Sequence, residues 1–402
     1  MTPPSAPLAY LDHAATTPVY PEVIEAMAAQ LAAVGNASAL HGSGRAARRV
    51  VEESREMIAA AVGSRPSEVV FTSGGTEADN LAVKGFLWAR RKADPRRTRI
   101  LSTSIEHHAV LDPLRWLQTD EGSEVELVPV DSAGRLDVDA LRASVERDPG
   151  SVALISVMWA NNEVGTIQPV DEVVAIAAPH AIPVHSDAVQ GLGQLPLDFA
   201  ASGLDAMTIA GHKIGGPVGV GALLLRREAA LVPLLHGGGQ ERDVRSGTMN
   251  APASAGLAVA AELAVKGQPE RAPALAALRD ELIARVLEAV PDAQLNGPPG
   301  DARLPGNAHL SFPGCEGDSL LMLLDAQGIE CSTGSACSAG VPQASHVLLA
   351  MGRDEATSRA SLRFSLGHTS VPEDIDRVVE VIGPAVERAR AAGLAGATGG
   401  RS

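Results

Sequence analysis

Two strand-like runs of the sequence end in residues that could do chemistry. One run ends in a turn that could bind a phosphate, and the other ends in an aspartate. The apolar run 69–72 leads into a Ser-Gly-Gly-Thr turn at 73–76, which opens a helix. Free backbone N–H groups and the helix dipole favour a phosphate at such a turn, where Gly75 allows close approach and Thr76 can donate a hydroxyl. An ordinary N-capped turn is the alternative interpretation. The run 182–186 delivers Asp187 at its carboxyl end, where ligands bind in open α/β sheets.

A third strand-like run, 206–210, ends in Gly211-His212-Lys213. The chain has four lysines, and Lys213 follows a buried run inside a glycine-rich turn. Desolvation and nearby cations lower the pKa of such a lysine, which makes it a candidate for Schiff-base formation. Asp187 alone could be only a helix cap. A phosphate turn, an acid and a buried lysine are together what pyridoxal 5'-phosphate (PLP) requires of a protein.

The composition narrows the class of protein. The 402 residues include 33 Lys plus Arg and 48 Asp plus Glu, for a formal charge of −15, which argues against direct nucleic-acid binding. No apolar run approaches the roughly 18–20 residues of a membrane span, and the start lacks a basic region followed by a long apolar segment. Three cysteines make a poor disulfide framework. We expect a cytoplasmic protein without membrane contact.

The residues that could do chemistry must be positioned by a sheet. Alternating helical and β-branched stretches predict an α/β fold with a mostly parallel sheet covered by helices. Its seven candidate strands are 69–72, 100–103, 125–130, 152–159, 182–186, 206–210 and 220–225. A helical stretch at 273–290 and shorter apolar runs at 308–312, 328–331 and 361–366 predict a smaller α+β domain.

These patterns predict two domains and a tail. We assign residues 20–266 to the large α/β domain, and residues 1–19 and 267–390 to the small α+β domain. Residues 391–402 are almost all Ala and Gly, so we expect a disordered tail.

Over nearly its whole length the chain resembles the cysteine desulfurases, class-V aminotransferase-like enzymes of PLP fold type I. The motifs that carry the resemblance are YLDHAATTP (10–18), SGGTEADN (73–80), EHHAV (106–110), NNEVG (161–165), HSDAVQ (185–190), GHK (211–213), HGGGQER (236–242), RSGT (245–248), STGSAC (332–337) and RFSLG (363–367). The resemblance implies removal of sulfur from L-cysteine, which yields L-alanine and a persulfide on Cys337. The sulfur would pass to an acceptor protein, either an iron–sulfur scaffold or a tRNA-thiolation enzyme.

The resemblance also implies a role for each matching residue. Lys213 would bind PLP covalently and act as the base, Asp187 would pair with the ring nitrogen, and His107 would stack on the ring and serve as acid or base. The other implied cofactor ligands are Gly75, Thr76, Asn162, Gln190, Gly211, His212 and, from a partner subunit, Thr248. The implied ligands of the substrate carboxylate are Arg363, Asn36 and Asn162. A Thr248 that reaches the neighbouring site implies a homodimer.

Cys337 is the residue on which the function depends. It lies in a Ser/Thr/Gly/Ala run, 332–340, which has no apolar periodicity and predicts a mobile loop able to present a thiolate. Cys315 and Cys331 lie beside apolar residues and are interpreted as structural. A metal site formed by the three cysteines with His309 is an alternative, but five residues separate Cys331 from Cys337, unlike the usual CxxC spacing. We expect no resident metal, and only a transient iron–sulfur contact at Cys337.

Two departures from the family pattern leave questions open. Ala210 stands where many relatives have a serine whose hydroxyl forms a hydrogen bond with the phosphate. In this chain that hydrogen bond is either missing or supplied by Thr208. The Ala/Gly end replaces a longer docking tail, which leaves the acceptor undetermined.

Three other interpretations compete with a cysteine desulfurase. They are a selenocysteine lyase, another class-V aminotransferase-like PLP enzyme, and a non-catalytic protein of the same fold. Retention of Lys213 and Cys337 argues against the last, and Cys337 argues against an aminotransferase. Cysteine and selenocysteine remain to be separated as substrates.

Overall fold

The computed structural model describes residues 8–334 and 344–399, so Cys337 lies outside the described residues. The strands are β1 (Ala9–Tyr10), β2 (Val69–Thr72), β3 (Arg99–Thr103), β4 (Glu124–Val128), β5 (Val152–Ser156), β6 (Val184–Asp187), β7 (Ala206–Ala210), β8 (Gly221–Leu225), β9 (Gln294–Leu295), β10 (Asn307–Ser311), β11 (Ile329–Glu330) and β12 (Ser361–Ser365). The α-helices are α1 (Pro21–Leu31), α2 (Gly42–Ala61), α3 (Gly75–Ala93), α4 (His108–Glu121), α5 (Val138–Arg147), α6 (Val170–Ala177), α7 (Phe199–Ser202), α8 (Ala251–Ala289), α9 (Gly317–Asp325), α10 (His346–Ala350), α11 (Glu355–Arg359) and α12 (Pro372–Gly399). Short 3₁₀ turns lie at Pro66–Glu68, Ala178–His180, Gly211–Lys213 and Gly300–Ala302.

A seven-stranded sheet with the order β2-β8-β7-β6-β5-β3-β4 forms the centre of the fold. Strand β8 runs antiparallel to both of its neighbours, and the other pairs are parallel. Every residue of β5, β7 and β8 is buried, as expected of continuous apolar runs covered on both faces. The predicted fold class and the mostly parallel seven-stranded sheet are therefore confirmed.

Two predicted strands end earlier than the apolar runs that suggested them. Strand β4 stops at Val128 because Pro129 has no N–H to continue the ladder. Strand β5 stops at Ser156, although Val157 N–H and Trp159 N–H still donate to the carbonyls of His185 and Asp187. The chain beyond β5 therefore follows β6 to its carboxyl end, where it turns into the segment that carries Asn162.

A second core lies outside the large sheet. It packs β10 and β12 of an antiparallel three-stranded sheet (β12-β10-β9) against α9, α12 and the second half of α8. Strand β1 pairs in parallel with β11, so the N-terminal segment contributes Ala9 and Leu11 to this core. The exact domain boundaries remain a prediction.

Helix α8 differs from the predicted helix at 273–290. It is continuous from Ala251 to Ala289, although Pro269 and Pro273 lie inside it and proline usually ends a helix. Its first half buries Leu257 in the core of the large sheet, and its second half buries Leu282 in the second core. Packing at both ends stabilises the helix through the proline segment, which propensity alone does not predict.

Helix α12 also continues beyond the predicted boundary. Its backbone is helical to Gly399, whereas the sequence analysis expects disorder from residue 391. The alanines there are compatible with a helical backbone, since alanine has the highest helix propensity, and the expected disorder of residues 391–402 stays a prediction. Residues 400–402 lie outside the described part. Among the helices of the described residues, none combines the length and apolarity of a membrane span.

Candidate active site

A cavity of about 420 Å³ lies at the carboxyl ends of the central strands, where they face β12 and the segment 12–15. The structure brings together on its wall the predicted residues Gly75, Thr76, His107, Asn162, Asp187, Gln190, His212, Lys213 and Arg363. Gly211 lies directly before His212, at the start of the turn that follows β7. Sequence-distant segments therefore converge on one space, which is the first requirement for a shared site.

Lys213 is the last residue of the 3₁₀ turn after β7, and it lines the cavity. Its Nζ donates to the carbonyls of Ala14 and Ala15, both at 2.7 Å. Burial lowers the pKa of Lys213 to about 8, and the charge of Arg363 contributes to the decrease. Roughly a tenth of this lysine is therefore uncharged at pH 7, far more than for an ordinary lysine, and the uncharged form is what a nucleophile or base requires.

Asp187 is the last residue of β6 and is buried. Its Oδ1 accepts a hydrogen bond from Val189 N–H at 2.9 Å. Burial raises the pKa of Asp187 to about 6, while the backbone bond and Lys213 oppose that increase. Asp187 is therefore ionised near neutral pH and could hold a protonated ring nitrogen.

Two further buried carboxyl groups lie beneath the cavity, and the sequence analysis assigned neither of them a role. Asp79 lies on α3 and lines the cavity, and Glu106 directly precedes His107. Burial raises the pKa of Asp79 well above its usual value and that of Glu106 to about 8. The signal for Asp79 was its position among apolar residues of α3, between Ala78 and Leu81 on the buried face.

His107 is the N-cap residue of α4, and its Nδ1 accepts a hydrogen bond from Ala109 N–H at 3.1 Å. A nitrogen that accepts cannot carry the proton, so the neutral ring has its N–H at Nε2. Desolvation lowers the pKa of His107 to about 4, and Lys213 adds to the effect. His107 is therefore a neutral aromatic ring with one N–H to donate.

The start of α3 has the features of a phosphate cradle. Gly74 has φ +147°, a conformation that favours glycine, and a Cβ on Gly75 would lie 3.1 Å from Val189 Cγ2. Ser73 N–H is already bound by the Glu77 carboxylate at 2.7 Å. The backbone N–H groups that follow Ser73, at the start of α3, are therefore the ones that could bind an anion.

The structure also shows whether Thr208 could take the place of the serine that is missing at position 210. Ala210 lines the cavity but carries no hydroxyl. Thr208 Oγ1 is 3.0 Å from His185 Nε2 and fully buried, so its hydroxyl is committed to the interior of the sheet. The suggestion that Thr208 supplies the phosphate hydrogen bond was therefore wrong.

Arg363 reaches the opposite side of the cavity from β12. Its guanidinium donates to Asn162 O at 3.0 Å and to Asp12 Oδ1 at 2.7 Å. Its Nε is buried and has no hydrogen-bond partner among the described residues. A planar guanidinium with a free donor suits a substrate carboxylate, which would share this cation with Asp12.

The rim of the cavity has contacts that the sequence analysis missed. Ser345 Oγ donates to the buried Glu163 carboxylate at 2.5 Å, and His346 Nε2 lies 3.0 Å from Glu106 O. The rings of His108 and His346 meet edge to face, 5.1 Å apart. These contacts attach the start of α10 to the site. They join common residue types that lie 182 to 240 positions apart, so the sequence gave no signal for them.

Two predicted site residues do not reach the cavity of their own chain. Asn36 is exposed, and its Oδ1 accepts a hydrogen bond from Ser38 N–H at 2.9 Å. Thr248 is also exposed and lines a separate cavity of about 230 Å³, which it shares with Ser73 and Arg245. Neither residue therefore lines the cavity of about 420 Å³ within its own chain, and their roles stay predictions.

The described cysteines are buried. Cys315 and Cys331 are free thiols, and burial raises the pKa of each. Within residues 8–334 and 344–399, no group of three or more His, Cys, Asp or Glu side chains is arranged to hold a metal ion. Both thiols thus lack the exposed, electropositive environment of a reactive cysteine.

The cavity has the chemistry that PLP needs. Gly75 of the phosphate turn and the buried Asp187 line the cavity together, and the charge of Lys213 acts on Asp187. Lys213 lines the same wall. Fold and site together define a PLP-dependent transferase of fold type I.

Comparison with known proteins identifies the family within this class. The family model for aminotransferase class-V matches residues 9–378. The chain is 60% identical over 394 residues to an IscS-like cysteine desulfurase of Mycobacterium tuberculosis, covering 98% of this chain and 100% of that one. It is 44% identical to a cysteine desulfurase IscS of Methanosarcina thermophila, covering 95% and 92%. The chain belongs to the class-V aminotransferase family and, within it, to the PLP-dependent cysteine desulfurases.

Solved structures agree with this assignment. A NifS-like protein superposes with a TM-score of 0.87 at 35% identity, covering 95% of this chain and 100% of that one. A structure titled "SspA in complex with cysteine" superposes with a TM-score of 0.77 at 33% identity, covering 90% and 100%.

Proposed function

We propose that this chain takes sulfur from L-cysteine, releases L-alanine and holds the sulfur as a persulfide on Cys337. The observation that carries the proposal is the convergence of Lys213, Asp187 and Arg363 on one cavity of about 420 Å³. These three groups supply a base, an anion for a ring nitrogen and a cation for an α-carboxylate. PLP and an amino acid together, with the amino-acid Cα beside the lysine, would satisfy all three groups.

The residues of the cavity divide into those that hold PLP and those that hold the substrate. Gly75, Thr76 and His212 would hold the phosphate, Asp187 the ring nitrogen, and Lys213 the aldehyde carbon. When bound, PLP supplies an electron sink for the electrons left at the substrate Cα. Asn162 and Gln190 lie on the wall between these groups, where Gln190 Nε2 donates to Ala14 O at 2.9 Å.

Lys213 acts as the base at the substrate Cα. Its pKa of about 8 leaves a reactive fraction of neutral amine, and the two carbonyl acceptors at Ala14 and Ala15 hold the released Nζ within the site. Arg363 orients the substrate through its carboxylate. His107, with its N–H at Nε2, donates a proton to a group on the face of the ring.

The sulfur step requires a nucleophile from outside this wall. Cys337 is the cysteine that remains once the buried Cys315 and Cys331 are set aside. Its thiolate attacks the substrate sulfur, forms the S–S bond of the persulfide and leaves the electron pair of the broken C–S bond on the substrate carbon. That carbon is protonated to give alanine.

A second copy of the chain and an acceptor protein complete the account. Thr248 lines a cavity with Ser73 of the phosphate turn and does not line the cavity that contains Lys213, which supports a homodimer in which it serves the partner's site. The acceptor would be an iron–sulfur scaffold or a tRNA-thiolation enzyme, and the protein would work in the cytoplasm, where its free thiols stay reduced.

Substitution of the cysteines tests the role of Cys337. Cys337→Ser should abolish sulfide release from cysteine while leaving the visible absorbance of PLP intact, and Cys315→Ser, the matched control, should retain activity. Full activity in Cys337→Ser would refute the persulfide role. Selenocysteine assayed in parallel with cysteine separates a desulfurase from a selenocysteine lyase.

A further inference from the structure

A row of polar side chains crosses the apolar sheet directly beneath the cavity. Ser156, His185 and Thr208 come from the adjacent strands β5, β6 and β7, and all three are fully buried. Ser156 Oγ lies 2.9 Å from His185 Nδ1, and Thr208 Oγ1 lies 3.0 Å from His185 Nε2. The three side chains thus form one hydrogen-bonded chain, with His185 in the middle.

Asp79 closes this chain from the helix side. It is 1% exposed, the Thr208 hydroxyl lies beside its carboxyl group, and its Oδ1 lies 3.6 Å from His185 Nε2 without a hydrogen-bond partner among the described residues. The titratable groups that act on Asp79 are Asp187 on β6 and Glu106 after β3, both carboxyls. His185 is neutral, because burial lowers its pKa to about 3.

The charges beneath the cavity do not balance if Asp79 is ionised. Lys213 is the cation that acts on these carboxyls, and it acts on Asp187. Among the described groups that act on it, a second buried anion would have no cation to offset its desolvation. Protonation of Asp79 lowers that cost, since the unpartnered Oδ1 is then a neutral carbonyl oxygen.

A protonated Asp79 also gives every hydrogen bond in the row a donor and an acceptor. The Asp79 hydroxyl donates to Thr208 Oγ1, the Thr208 hydroxyl donates to His185 Nε2, and His185 Nδ1–H donates to Ser156 Oγ. The row then sets the tautomer of His185, two residues before Asp187 on the same face of β6.

We propose that Asp79 is a positioning residue held as a neutral carboxylic acid, which fixes the Ser156–His185–Thr208 row and leaves Asp187 as the single anion beneath the cofactor ring. The inference adds a positioning residue to the proposed active site. It rests on the proposed function only in taking the bound ring to be that of PLP. A single anion keeps the pair of Asp187 and a protonated ring nitrogen electroneutral. A second anion there would raise the pKa of the Lys213–cofactor linkage.

Infrared spectroscopy of the holoenzyme tests the assignment, because a protonated carboxylic acid absorbs apart from an ionised carboxylate. Aspartate labelled with ¹³C at the side-chain carboxyl separates the aspartate band from that of Glu106. At pH 7 the wild type should show one protonated aspartate band, which disappears in Asp79→Asn and persists in Asp187→Asn. The exposed Asp139→Asn is the matched control and should leave the band unchanged.

A second readout follows the visible absorbance of the cofactor against pH. Asp79→Asn replaces one neutral group by another and should leave the pH midpoint unchanged, whereas Asp187→Asn should shift it. A wild type without a protonated aspartate band at pH 7, or a band lost in Asp187→Asn but kept in Asp79→Asn, would overturn the assignment. So would a midpoint shift in Asp79→Asn.

If Asp79→Asn does not fold, the variant Thr208→Val provides a further test. Loss of the hydroxyl partner should shift the frequency of the protonated aspartate band, and an unshifted band would contradict the hydrogen bond from Asp79. A holoenzyme with the band that makes no alanine would refute the proposed function and leave this assignment standing.

Discussion

At the scale of single residues, Arg363 shows how one cation serves two carboxylates. In the structure it is held by Asp12 at 2.7 Å and by the carbonyl of Asn162, while its Nε remains unpaired among the described residues. A substrate carboxylate therefore meets a guanidinium that is already oriented, which reduces the entropy lost on binding.

Arg363→Lys should weaken cysteine binding because an ammonium cannot reproduce the planar fork. We expect KM to rise by roughly 30-fold, which corresponds to about 2 kcal/mol for a lost hydrogen bond to a charged group, with a smaller change in kcat. Steady-state kinetics of alanine formation measure the effect. Arg377→Lys on α12, outside the cavity lining, is the control, and an unchanged KM in Arg363→Lys would contradict the role.

Glu106 gives a stability prediction whose sign follows from its burial. Burial raises its pKa to about 8 from the model-compound value of 4.5, so the folded chain keeps a proton that the unfolded chain loses. The stabilising contribution is fully present below about pH 4.5 and is lost as the pH rises through about 8. The wild type should therefore lose stability between pH 5 and pH 8.5 relative to Glu106→Gln. Urea unfolding at both pH values, with the exposed Glu56→Gln as control, measures the difference; parallel curves would contradict it.

Sequence reasoning found the site residues that end strands and missed those whose exposure depends on helix rotation or on distant contacts. Lys213 and Asp187 follow apolar runs, so their place at the sheet edge could be predicted. Asp79 lies one helical turn into α3, where its apolar neighbours indicate burial but do not reveal that it lines the cavity. The contact of Glu163 with Ser345 joins two loops of the fold, and only the tertiary structure brings them together.

At the scale of elements, the start of α3 determines how a phosphate can be held. Gly74 at φ +147° places the first turn of the helix against the cavity, and a Cβ there would meet no atom within 4 Å. A substitution at Gly74 is therefore strained by the backbone conformation and not by contact.

Gly74→Ala should destabilise the chain by about 1–3 kcal/mol, the usual cost of a non-glycine residue in such a conformation, and should weaken PLP binding. Gly42→Ala is the matched control, since Gly42 also has free space for a Cβ but an ordinary helical backbone. Urea unfolding and titration of the apoprotein with PLP measure both effects. Equal behaviour of the two variants would contradict the role of the Gly74 backbone.

The elements themselves were predictable where hydrophobic patterning was strong. Six of the seven strands of the large sheet are fully buried, and the edge strand β4 is not. The predicted bounds differ from the observed ones mainly where a strand end turns into a site loop. Helix α8 was predicted as a shorter segment because prolines at 269 and 273 usually interrupt a helix, and only its packing against both cores explains its continuity.

At the scale of the whole molecule, the proposed homodimer would need an exposed apolar surface, and one segment of the chain offers it. Leu31, Val34 and Leu40 are 71%, 85% and 89% exposed at the end of α1 and in the loop that follows. Large apolar side chains at this exposure lie close together in sequence, which is typical of an interface and not of a solvated surface.

Leu40→Asp should therefore convert a dimer of twice the 41.3 kDa chain mass into monomers. It should also weaken PLP binding if Thr248 completes the partner's site. Light scattering of the eluting protein measures the mass. Met322→Asp, at a 73% exposed apolar position on α9, is the control and should stay dimeric. A monomeric wild type would contradict the dimer.

The central claim is that this cavity converts L-cysteine to alanine and persulfide sulfur, and one assay tests it most directly. Purified holoenzyme is incubated with L-cysteine and a thiol reductant, and alanine and sulfide are quantified together while the visible spectrum is recorded. The account predicts a yellow protein that forms the two products in equal amounts. A protein that binds PLP and forms no alanine, or one that PLP does not colour, would contradict it.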